Sequence, residues 1–155
     1  QISDNLAVLQ PKEVVKNILL SYHHEIKNRS ITINNDIALG LTVRNYSGAL
    51  VQVLVNLLLN SLQHAFDEGE TGVINISAEP TESGILLHYS DTGKGVAAGD
   101  LKLIFEPFYT TARQAGAGLG LNQVYNLVVQ KMAGEIRATL PEQGGLEFDI
   151  YLPSL

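Results

Sequence analysis

Cysteine is absent from all 155 residues. That excludes disulfides and thiolate metal sites and fits a reducing compartment. No apolar run reaches the roughly 20 residues that a membrane-spanning helix needs. The most apolar stretch, ALVQVLVNLLLNSL from Ala49 to Leu62, is short and interrupted by Gln52, Asn56 and Asn60. It is expected to be a buried helix. No signal peptide is visible. Nor is there a basic stripe: the formal net charge is −6, which argues against nucleic acid as a partner. An acidic chain can still hold a nucleotide if a divalent metal and a few local donors assist. No internal repeat is found. The chain starts at Gln1 without Met, so the expectation is one domain over residues 1–155, cut from a longer protein.

What is present describes a globular fold. The apolar share is 45% with ordinary charge content, enough for a real core. After the lead QISDNLAVLQ, Pro11 opens a helix over PKEVVKNILLSYHHEIKNRS, with Val14, Val15, Ile18, Leu19, Tyr22 and Ile26 at helical spacing. SITINND and GLTVRN read as strands. SGALVQVLVNLLLNSLQHAF reads as a second helix with Ser47 at its N-cap. GVINISAEP and GILLHYSD read as strands around a turn. LGLNQVYNLVVQKM is a third helix, and GEIRATL with GLEFDIYLP closes the chain as two more strands. The order predicts a two-layer α/β sandwich, with three helices on one face of a mixed, mostly antiparallel sheet.

Four stretches stand out chemically. In the second helix Gln52, Asn56, Asn60 and Gln63 recur at spacings of four, four and three, with His64 beside them. At 100° per residue they share one face. Asn is a poor helix former, so two in one helix interior need a reason. A narrow uncharged stripe suits a ligand or hydrated metal; a face turned to water is the plain alternative. Next, SDTGKGV follows an apolar strand and places Asp91 at its end, where a carboxylate can accept from an exocyclic amine. Gly93 and Gly95 let the backbone turn tightly beside a flat ring. Third, in LIFEPFYTTARQ the rings of Phe105 and Phe108 flank Pro107 as a stiff anchor. Thr110, Thr111 and Arg113 then offer hydroxyls and a guanidinium to phosphate oxygens, as a lid would. Fourth, GAGLGL leads into a helix start, where free N–H groups favour phosphate. A Rossmann site would put its glycines directly after a strand and space them G-x-G-x-x-G. The preceding TTARQA is no strand, and the spacing differs.

The Asn-bearing helix, D-x-G-x-G, F-x-P-F and G-x-G-L-G-L, in this order, resemble the ATP-binding catalytic domain of sensor histidine kinases. That domain has the Bergerat fold of the GHKL superfamily, shared with gyrase, the mismatch-repair ATPases and the heat-shock chaperone ATPase. The resemblance runs from PKEVVKNIL to FDIYLP. It implies an ATP pocket under a flexible lid. It also implies γ-phosphate transfer to a histidine on a separate dimerisation domain, then relay to a response-regulator aspartate. Asn60 resembles the Mg²⁺-ligating asparagine. Asn56 stands where the hydrolysing relatives have a Glu base, a difference that favours transfer. Gln63 replaces a phosphate-facing Lys, and His64 stands beside the adenine. Asp91 resembles the carboxylate that reads the adenine amine, with Gly93 and Gly95 as pocket floor and Phe105 in the anchor. Thr110, Thr111 and Arg113 belong to the lid, and Gly116, Gly118, Leu119 and Gly120 to the phosphate turn. Arg113 is the expected contact to the terminal phosphate, and with Asn56 and Asn60 it makes up the expected catalytic set.

Two departures accompany the resemblance. Leu146 follows Gly145 where the family often has Thr. The four histidines, His23, His24, His64 and His88, include no phosphoacceptor box. The resemblance implies a cytoplasmic domain, monomeric in isolation, within a homodimeric parent that is membrane-anchored or not. Two other functions stay open: a nucleotide-binding interaction module without transfer, and a serine kinase of the same fold.

Overall fold

The structure, a computed structural model, describes residues 4–107, 109 and 120–155. A five-stranded sheet in the order β2-β4-β5-β7-β6 forms one layer. Its strands are β2 (Ile31–Asn35), β4 (Gly72–Pro80), β5 (Gly84–Asp91), β6 (Glu135–Thr139) and β7 (Leu146–Pro153). Only β2 and β4 run parallel; the other pairs are antiparallel. Side chains alternate as the period of two requires. Ile85, Leu87, Tyr89 and Asp91 of β5, with Leu146, Phe148, Ile150 and Leu152 of β7, are buried, while Leu86, His88 and Ser90 face the other way.

Helices cover the buried face. The two-layer expectation holds, with differences at the margins. The first predicted helix is two: α1 (Pro11–Ser21) and a single turn, α2 (His23–Lys27). The break is at Tyr22, whose ψ of 21° closes α1. Pro11 does open α1. The second helix, α3 (Ser47–Asn60), continues as a π-helical turn over Ser61–Ala65. Ser47 is not its N-cap. Tyr46 holds that position, and Asp4 supplies the capping oxygens to the N–H groups of Gly48 (3.0 Å) and Ala49 (2.9 Å). A carboxylate at a helix start satisfies orphan donors as a local Ser would. The third helix, α4 (Gly120–Asn126), also ends in a π turn, Leu127–Lys131.

The lead segment, for which no strand is predicted, forms β1 (Leu6–Leu9). It pairs antiparallel with β3 (Val43–Tyr46) in a separate two-stranded sheet. Asn45, fully buried in β3, ties this sheet to the rest by donating to the carbonyls of Pro153 (2.9 Å) and Met132 (3.2 Å). The core lies between α3 and the central strands. Leu50, Leu57, Ile74, Leu87, Val128 and Ile150 there are fully shielded, each worth about 1.5–3 kcal/mol of transfer free energy. Among the described residues no helix is long and apolar enough to cross a membrane.

Candidate nucleotide site

Strand β5 ends on Asp91, whose residue exposure is 3%. A carboxylate at that depth needs donors, and three elements supply them. Ser61, the first residue of the π turn after α3, donates to Oδ2 at 2.9 Å. The Gly93 N–H donates to Oδ1 at 3.0 Å, and the Leu146 N–H of β7 also serves it. Burial raises the Asp91 pKa, and these donors offset only part of the effect. Behind Ser61 the Tyr89 hydroxyl lies 2.8 Å from Ser61 Oγ and 3.1 Å from the Leu57 carbonyl. This buried relay leads from the sheet floor back into α3.

The loop after Asp91 is shaped by close approach. A Cβ on Gly93 would stand 2.5 Å from the Ala65 carbonyl oxygen, and the Lys94 N–H donates to that same oxygen at 3.0 Å. Gly95 has φ of +66°, and a Cβ there would lie 2.7 Å from the Gly145 carbonyl. Gly145 itself, at φ +88°, presses on the Asp91 carbonyl, where a Cβ would come within 1.8 Å. The D-x-G-x-G glycines thus pack against α3 on one side and the β6–β7 turn on the other.

The stripe on α3 divides into different environments. Asn60 is half-buried, and its carboxamide has no hydrogen-bond partner among the described residues. Asn56 is engaged: it accepts from Gln52 (2.9 Å) and donates to Gln123 Oε1 (3.1 Å) and the Gly120 carbonyl (3.4 Å). It therefore brackets the start of α4 to α3. Gln63 is exposed. His64 is half-buried, with its Nδ1 shielded and unpartnered. Burial first, and the nearby Lys94 charge second, lower its pKa, so the ring is neutral at pH 7. Lys94 itself pairs with Asp67 at 2.5 Å.

Phe105 stacks against Tyr125 of α4 (5.5 Å between centroids) and Phe148 of β7 (6.1 Å), and its carbonyl accepts from Asn122 (2.9 Å). Phe105, one of the two rings of the expected anchor, is thus held by α4 and β7. The structure brings together Asn56, Asn60, His64, Asp91, Gly93, Gly95 and Gly120 through α3, the β5 end and the α4 start. Phe108, Thr110, Thr111, Arg113, Gly116, Gly118 and Leu119 lie outside the described residues. Ser61, Ala65 and Gly145 were missed by the motif reading. Ser61 alone carried a legible signal, as a small hydroxyl directly after Asn60 and off the Gln/Asn stripe.

Residues 45–155 match the histidine kinase-, DNA gyrase B- and HSP90-like ATPase family. The chain belongs to it. Sensor histidine kinase ZraS of Escherichia coli (strain K12) is 41% identical over 104 residues, spanning 67% of this chain and 21% of that protein. The chain thus spans about a fifth of the length of that relative. The catalytic domain of histidine kinase ThkA superposes with a TM-score of 0.85 at 22% identity, covering 97% of this chain and 96% of that one. Full-length ShkA, crystallised with AMPPNP, superposes with a TM-score of 0.82 at 27% identity, over 98% of this chain and 32% of that one. ThkA in complex with the response regulator protein TrrA gives a TM-score of 0.79 at 21% identity, over 98% of this chain and 42% of that one. The chain is a histidine kinase-type ATPase domain, homologous to sensor histidine kinases.

Proposed function

We propose that this chain is the single ATP-binding catalytic domain of a cytoplasmic two-component sensor kinase segment. It holds Mg·ATP and presents the γ-phosphate to a histidine on a dimerisation domain elsewhere in the parent, for relay to a response-regulator aspartate. The observation that carries this reading is the buried Asp91, fixed by Ser61, Gly93 and Leu146 beside the unpartnered Asn60 carboxamide. Asp91 accepts from the adenine amine, because its three donors hold the carboxylate still and leave one of its four lone-pair sites free. Neutral His64 offers a ring face beside it. The Asn60 oxygen is a hard donor with no competing partner, so it suits Mg²⁺. When bound, Mg²⁺ would neutralise phosphate charge as transfer proceeds. The chain's own residues position the nucleotide, and no nucleophile or base of this domain is required.

The engaged Asn56 side chain and the exposed Gln63 favour a second reading, a nucleotide-binding module that acts through contacts without transfer. One experiment separates them. Nucleotide affinity is measured with Mg·ATP, and [γ-³²P]ATP is then offered with an added histidine-bearing dimerisation domain from a relative. Binding with transfer supports the kinase; binding without transfer to any such domain supports the module. Absence of binding by the wild-type chain overturns both.

A further inference from the structure

The sheet face turned away from the helices carries a cluster that the nucleotide reading does not use. His88 on β5 and Asp149 on β7 stand directly opposite each other in the antiparallel register. Glu147 lies two residues before Asp149, hence on the same face. His88 Nδ1 is 2.6 Å from Asp149 Oδ1, and Nε2 is 3.4 Å from Glu79 Oε2 on β4. One ring nitrogen of His88 and one oxygen of each of Asp149 and Glu147 all lie within 4.8 Å of one another. All three residues are half-buried. Ser77 flanks His88 across the sheet, and Arg137 is the register partner of Asp149 on the edge strand. Among the described residues Arg137 forms no ion pair with the cluster.

We propose that His88, Asp149 and Glu147 bind one divalent transition-metal cation such as Zn²⁺, with Glu79 on the far imidazole nitrogen. Three features carry this. First, a tetrahedral Zn²⁺ with bonds near 2.0–2.1 Å needs ligand atoms about 3.3 Å apart. The present spacings, 2.6 Å between Nδ1 and Asp149 Oδ1 and no more than 4.8 Å across the cluster, bracket that value. Second, both imidazole nitrogens face carboxylates, Nδ1 toward Asp149 at 2.6 Å and Nε2 toward Glu79 at 3.4 Å, so a cation that displaces the proton between Nδ1 and Asp149 leaves Glu79 to accept the Nε2–H. A carboxylate behind a ligating histidine is the usual way of fixing its tautomer. Third, three carboxylates surround one imidazole, and the one nearby guanidinium is not paired with them. One imidazole among carboxylates favours Zn²⁺ over Mg²⁺. Three protein ligands leave a position for water or a further donor. The site is independent of the nucleotide pocket, since Asp91 points to the opposite face of β5.

The test is calorimetric titration of Zn²⁺ into the nucleotide-free chain at neutral pH. One saturable equivalent is expected. His88→Gln and the pair Glu147→Gln with Asp149→Asn should each weaken it by about tenfold or more, and Glu79→Gln by roughly tenfold. His23→Ala with His24→Ala, which removes the other adjacent imidazoles, should leave affinity within about twofold. Zn²⁺ should also raise the unfolding midpoint of the wild type and leave that of His88→Gln unmoved. Absence of saturable binding, full binding by His88→Gln, or loss in the His23/His24 variant alone overturns the proposal. Circular dichroism of the metal-free variants verifies that each is folded.

Discussion

Ser61 Oγ donates a 2.9 Å hydrogen bond to Asp91 Oδ2, and both residues are buried. The bond joins the residue after Asn60 to the last residue of β5. It therefore fixes the distance between the helix that offers a carboxamide and the strand that offers a carboxylate. Neither group could be placed so well by its own element, since a π turn and a strand end are both points where backbone geometry changes.

Removal of that donor should be felt most where Asp91 is charged. Ser61→Ala is expected to destabilise the chain by about 1–3 kcal/mol, the cost of an unsatisfied buried acceptor. The loss should be larger at pH 8 than at pH 4, because a protonated Asp91 demands less of its neighbours. Urea denaturation at the two pH values measures both effects; an equal loss at both would remove the charge from the account.

Asp91→Asn should separate binding from stability. A carboxyl whose folded pKa lies above its unfolded value stabilises the fold most below the ordinary aspartate range. That contribution declines as pH rises through the raised folded value. The variant abolishes this slope, so its thermal midpoint near pH 7 should equal or exceed the wild-type one. The relay can reverse to accept it: the new amide donates to Ser61, Ser61 to Tyr89, and Tyr89 to the Leu57 carbonyl. Nucleotide affinity should nonetheless fall about tenfold to a hundredfold, as for loss of a hydrogen bond to a charged group. Differential scanning fluorimetry with and without ATP reads both quantities.

The two adjacent glycines of the β6–β7 turn should respond differently to alanine. Both have positive φ, but a Cβ on Gly144 meets nothing within 4 Å, whereas one on Gly145 lands on the Asp91 carbonyl. Gly144→Ala should cost about 1–2 kcal/mol from left-handed backbone strain alone. Gly145→Ala should cost about 3 kcal/mol or more and should also weaken nucleotide binding. Similar losses at the two positions, by denaturant midpoint, would mean that the turn relaxes freely.

The two asparagines of α3 should also divide. Asn60→Ala removes no partner among the described residues and should shift stability by less than about 0.5 kcal/mol, while abolishing Mg²⁺-dependent transfer. Asn56→Ala breaks the bracket to Gln123 and Gly120 and should cost about 1 kcal/mol. Hydrogen exchange at the first turn of α4 should quicken in Asn56→Ala only.

The layer architecture, the helix carrying the asparagines and the position of Asp91 were legible because each rests on a local pattern. These are alternation in β5, the 3.6 period in α3, and a strand running into D-x-G-x-G. What escaped depends on contacts distant in sequence. The α3 cap comes from Asp4 rather than the adjacent Ser47, and no local rule distinguishes a carboxylate 44 positions away. The strand β1 has only four residues and exposes Val8 at 68%, so it shows no alternation of its own. The stripe on α3 was read at 100° per residue, but the π turn after Asn60 changes that phase. Gln63 consequently lies in solvent while His64 turns inward. Gly145 gave no sign of its contact with Asp91, because only strand register brings the two together.

That contact makes the buried carboxylate setting of Asp91 a late product of the chain. Asp91 is set by the N–H of Leu146, the first residue of β7, and by the bare backbone of Gly145 in the turn before it. As the polypeptide leaves the ribosome, α3, β4 and β5 are all available long before β7, yet none of them can complete the pocket. On the proposed reading of Asp91, stabilisation by ATP begins only once the last hairpin has docked.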